Sequence, residues 1–145
     1  LTVTDDVIIE GNLTVQNISV VNLTINGHII TAGNTPTTTI GTAAGTEDIT
    51  NNIPAPQVTI EGNDTSGTIT IVAGANTADG ELAKVTFNSP FGAKPRIVFS
   101  PANRDSSKVG AYYDGSLTTN NSFSLMADQA PQAGKTYTFT YFIVE

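Results

Sequence analysis

Few residues in this chain could carry out chemistry, and their spacing selects no reaction. His28 is the only histidine. No serine is placed beside it, so a serine–histidine–acid relay has no visible basis. A glycosidase would need two carboxylates paired across a cleft. Asp105, Asp114 and Asp128 all stand in turn-like contexts, and no spacing pairs them. The segment GNDTSG lacks the lysine and following helix of a phosphate-cradling loop. Cysteine is absent, which excludes disulfides and thiolate metal sites. No cofactor is expected. A structural calcium is the one metal considered, because Asp5, Asp6, Asp64 and Asp79 supply hard oxygen ligands. The chain therefore reads as a non-enzyme.

Residues suited to binding are better defined. Tyr112 and Tyr113 are adjacent, so a strand there turns one inward and one outward. The outward ring, with Arg104, Asp105 and Asp114 on flanking loops, is the candidate sugar contact; the same ring could instead pack on a neighbouring subunit. Asn12, Asn17, Asn22, Asn63 and Asn120 each open an Asn-x-Ser/Thr sequence and are candidate N-glycosylation acceptors. In so Asn- and Thr-rich a chain they also read as turn and ladder residues.

Three of these asparagines head a five-residue repeat, NLTVQ, NISVV, NLTIN, over residues 12–26. Each unit carries an aliphatic pair two residues apart: Leu13 with Val15, Ile18 with Val20, Leu23 with Ile25. In an extended chain the members of a pair share a face. An odd repeat would throw alternate pairs onto opposite faces. Either the chain turns once per unit, or both faces meet a neighbour. One chain has material for about one coil, and solenoid coils are stabilised by their neighbours. Three chains wrapping together would give the pairs a common core. These six aliphatics are the expected self-assembly residues of an N-terminal β-stalk resembling a trimeric β-prism.

Composition agrees with an all-β protein outside the cell. Thr, Asn, Gly and aliphatics dominate, there is no Trp, and 13% of residues are charged. The net charge is −7. All six basic residues follow position 80, whereas eight of the thirteen acids precede it. An acidic chain without a basic patch repels phosphate backbones, so nucleic acid is excluded as a partner. No apolar run approaches the roughly 18 residues of a membrane span, so no membrane insertion is expected. The first residue is Leu1, and the chain is read as a processed protein or a fragment.

Three regions are expected. Residues 1–30 form an arm and the stalk, and the arm could be donated to a neighbour's sheet edge. Residues 31–57, rich in Gly, Pro, Thr and Ala, read as a linker or collar. Residues 58–145 contain seven β-patterned runs separated by turn clusters, which predicts an antiparallel β-sandwich head, jelly-roll-like. Its inward residues are Ile69, Ile71, Val85, Phe87, Ile97, Phe99, Phe123, Leu125, Tyr137, Phe139, Tyr141 and Ile143. The last strand, YTFTYFIVE, adds apolar residues on its second face at Phe142 and Val144, the expected head interface between subunits.

The stretch from Val85 to Asn103, V-T-F-x-x-P-F-x-x-x-P-R-I-V-F-S-P-A-N, and the closing Y-T-F-x-Y-F are similar to the H-type lectin pattern. With the preceding GNLTV…NGHIITAG, the chain resembles trimeric phage tail-fibre and bacterial surface-fibre modules. The resemblance implies a homotrimeric fibre module on a cell surface or virion; whether such trimers join into a longer filament is left open by the sequence. It also implies one of two roles: structural fibre subunit, or receptor- or glycan-binding tip.

Overall fold

A computed structural model describes residues 7–145. The expected donor arm and two calcium candidates, Asp5 and Asp6, lie largely outside these residues. The chain divides into two units, Leu1–Ile30 and Thr31–Glu145.

In the first unit, residues 7–30 form neither strand nor helix. The backbone bends at Gly11, Gln16, Val21 and Asn26, five residues apart. The chain thus turns once per repeat, the first of the two alternatives the odd period left open. Among the described residues, 7–30 make no hydrogen bond of any kind within the chain. The β pairing expected of a stalk is therefore not made by one chain alone.

The second unit is a two-layer antiparallel β-sandwich. Its strands are β1 (Thr37–Ile40), β2 (Gln57–Gly62), β3 (Ser66–Val72), β4 (Gly80–Thr86), β5 (Arg96–Pro101), β6 (Ala111–Tyr113), β7 (Ser122–Ala127) and β8 (Thr136–Val144). One sheet has the order β1-β4-β7-β6 and the other β2-β3-β8-β5. Only β2–β3 and β6–β7 pair as sequence neighbours, so most connections cross between the layers.

Alternation explains the layers. Ile69 and Ile71 on β3, Phe123 and Leu125 on β7, and Tyr137, Phe139, Tyr141 and Ile143 on β8 are all buried between the sheets. A register shift between Glu81 and Ala83 lets both Leu82 and Ala83 face inward. The Phe123 and Tyr141 rings bridge the layers with centroids 6.3 Å apart. Each large apolar side chain buried this way contributes about 1.5–3 kcal/mol.

The linker expected over 31–57 is corrected. It contains β1, which pairs with β4 from Thr37↔Thr86 to Ile40↔Ala83 and forms a sheet edge. Ala43 and Ala44 are core residues. Their carbonyls accept hydrogen bonds from Ala78 N–H (3.1 Å) and Gly74 N–H (2.8 Å). Gly41 allows this docking, since any Cβ there would collide with the Glu81 carbonyl. The compact unit therefore begins at Thr31, not at Val58.

Candidate functional site

The start of the sandwich is tied down by polar contacts at the β2–β3 turn. Asn63 Oδ1 accepts from the backbone N–H of Thr65 (2.9 Å) and Ser66 (3.1 Å). Asn63 Nδ2 donates to Thr31 Oγ1 (3.0 Å), and the Thr31 and Ser66 hydroxyls lie 2.6 Å apart. With its amide so used and the residue 7% exposed, Asn63 is corrected from glycosylation acceptor to turn anchor. A glycosyl acceptor needs its Nδ2 at the surface. Asn12, Asn17, Asn22 and Asn120 are exposed.

Tyr141 completes this anchor by donating its O–H to the Asn63 carbonyl at 2.6 Å. Burial, and secondarily the Asp64 carboxylate, push the Tyr141 phenol up to about 12. An unfolded tyrosine ionises near pH 10. The folded chain keeps the proton longer, so this contribution is complete below about pH 10 and is lost as pH rises toward 12. Tyr141→Phe should cost about 1–3 kcal/mol at pH 7 by stranding a buried carbonyl. It should also flatten the alkaline loss of stability. Urea denaturation at pH 7 and above pH 10 reads both. Equal stability of variant and parent at pH 7 would show that water replaces the phenol.

Beside this anchor lies an apolar patch on the outer face of the second sheet. Phe142 and Val144, read from the sequence as head-interface residues, are exposed. Val98, directly across from Phe142 on β5, is more exposed still and joins them. Nothing in the one-residue pattern of β5 flagged Val98; its importance comes from register. Ser66, which Thr31 contacts, is the partner of Phe142 on β3. The patch therefore adjoins the point where the chain enters the sandwich.

The five expected sugar-contact residues do not form one site. Tyr112 is exposed and Tyr113 packs on the core, the division expected of neighbours in a strand. Tyr112 pairs with Met126 on β7. Asp114 lies just past the opposite end of β6 from Asp105, and its Oδ1 accepts from Ser116 N–H (2.7 Å) and Oγ–H (2.6 Å). Those bonds hold its carboxyl below the usual carboxylate range. Asp105 pairs with Lys108 at 3.1 Å in the short 3-10 turn Ser106–Lys108. Arg104 precedes it on the exposed loop. β6, only three residues long, separates the two carboxylates instead of gathering them.

Of the oxygen ligands considered for calcium, Asp64 uses both carboxylate oxygens on the N–H groups of Asn88 (2.7 Å) and Ser89 (2.8 Å). Asp79 is exposed. His28 is exposed in the first unit.

No family model matches this chain, and no curated protein or solved structure matches it. Its functional reading rests on its own geometry.

Proposed function

We propose that this chain is a non-enzymatic structural subunit of an extracellular or virion fibre, assembling as a homotrimer through a prism-like stalk and a jelly-roll-like head. The observation that carries the reading is the first unit. Its described residues, 7–30, bend every five residues, make no hydrogen bonds of their own, and leave Leu13, Val15, Ile18, Val20, Leu23 and Ile25 at 46–63% exposure. Val21, outside the pairs, is more exposed still at 98%. Soluble monomers seldom keep such a stripe open. A backbone without internal partners seeks them in water or in other chains. Copies of the same chain under closed rotational symmetry supply both the apolar contact and the backbone partners. The Val98–Phe142–Val144 patch supports a second contact between copies.

Multi-angle light scattering on the intact protein tests this, with a mass three times that of one 15.1 kDa chain expected. A monomer at micromolar concentration would sink the trimer. Negative-stain microscopy then separates isolated trimers from filaments. The second reading is a receptor- or glycan-binding tip, supported by the exposed Tyr112 ring on the outer face of the first sheet.

A further inference from the structure

A cleft of about 190 Å³ opens at the end of the sandwich opposite the Asn63 anchor. Its position follows from register. The chain enters beside Ser66, at the start of β3, whereas Tyr137 pairs with Ile71 near the other end of that strand. Two loops far apart in sequence build the walls: Asp105, Lys108 and Val109 on one side, Gln129, Ala130 and Gln132 on the other. Tyr137 lies at the base.

We propose that this cleft binds a single neutral sugar ring, such as the terminal residue of a glycan. At roughly 30 Å³ of liquid per water, its volume holds about six waters, the scale of one pyranose. Its chemistry suits a ring with hydroxyl edges and C–H faces. Asp105 offers acceptor oxygens, the Gln129 and Gln132 amides offer both donors and acceptors, and Val109 and Ala130 offer apolar contact. The Tyr137 hydroxyl is the most pointed feature. It accepts from Gln132 N–H at 2.6 Å, yet among the described residues its own proton meets no acceptor. Tyr137 is 2% exposed, so this is a buried donor at the cleft wall. Asp105 and Lys108 engage each other at 3.1 Å. The cleft therefore carries no net charge to favour an anion or a cation.

The site belongs to one sandwich and does not depend on trimer formation. It deepens the tip reading, and rests on it only in supposing that this end of the sandwich meets a glycan. Saturation-transfer NMR on the full chain, with the methyl glycosides of glucose, galactose, mannose and N-acetylglucosamine, is the test. At least one should bind with Kd on the order of 1 mM, as single polar rings do. Asp105→Asn should weaken it about tenfold through loss of a charge-assisted hydrogen bond. Thr140→Ala, at an exposed position of β8 away from the cleft, should leave it unchanged, and an unaltered melt confirms that each variant folds. Absence of transfer from all four glycosides would overturn the proposal. Binding that Tyr112→Ala abolishes and Asp105→Asn spares would also overturn it, while leaving the tip reading standing. Competition by glycine would reassign the cleft to a zwitterion and overturn it as well.

Discussion

Replacing Phe139 with alanine is expected to destabilise the sandwich by about 3–5 kcal/mol. The ring is 0% exposed and lies in the middle of β8, the strand flanked by β3 and β5. Ile69 and Pro101 are its cross-strand partners, and the Phe99 ring meets it edge-on at 6.2 Å. A sheet hydrogen-bonded on both sides cannot collapse into the space the ring leaves, so the cavity persists and its cost adds to the lost burial. For a unit of this size the melting temperature should fall by roughly 10–20 °C. Thr140→Ala, on the exposed face of the same strand, should stay within about 0.5 kcal/mol. Thermal and urea melts of the two variants give the comparison. Equal effects would show that β8 does not present its aromatic face to the core.

That prediction could be made because β8 and its neighbours were legible from alternation alone. A strand covered on one face repeats every two residues, so Tyr137, Phe139, Tyr141 and Ile143 announced the core directly. β7, Ser122–Ala127, buries the two inward residues its alternation marks, Phe123 and Leu125. β1 did not, because its pattern TTTI holds one aliphatic and its continuation buries alanines. Small residues reach a core by close backbone approach, which leaves no hydrophobic periodicity to read. Asn63 carried a glycosylation pattern, and only the fold revealed that its amide is spent on Thr31, Thr65 and Ser66. The binding residues were the least legible. Alternation showed that one of Tyr112 and Tyr113 faces outward, and only the fold shows that it is Tyr112; Asp105 and Asp114 looked like its partners only because they are near in sequence. The distal cleft draws on Asp105–Val109 and Gln129–Tyr137, segments that come together through the crossing of β7 into β8. No local spacing encodes such a meeting.

Changing Ile18 and Leu23 together to aspartate should dismantle the association of the first unit while the sandwich stays folded. Both residues are the leading members of their aliphatic pairs, in consecutive units that each end in a bend. In a three-fold assembly each substitution places three carboxylates near one axis, six in all for the double variant. Burying an unpaired carboxylate costs several kcal/mol, and like charges at close range add to it. The expected outcome is separation of the repeat region, with dissociation to monomers if the contacts at Val98, Phe142 and Val144 are too weak alone. The sandwich core contains no residue from 7–30, so its thermal transition should be unchanged. Light scattering reads the mass and circular dichroism the melt. A stable trimer with protease-resistant residues 7–30 would mean that these aliphatics do not meet in the assembly. A trimer whose repeat region becomes protease-sensitive would place the holding contact on the outer face of β5 and β8. Adding Phe142→Asp should then release the monomer, since that side chain is the aromatic member of the only apolar cluster described on that face.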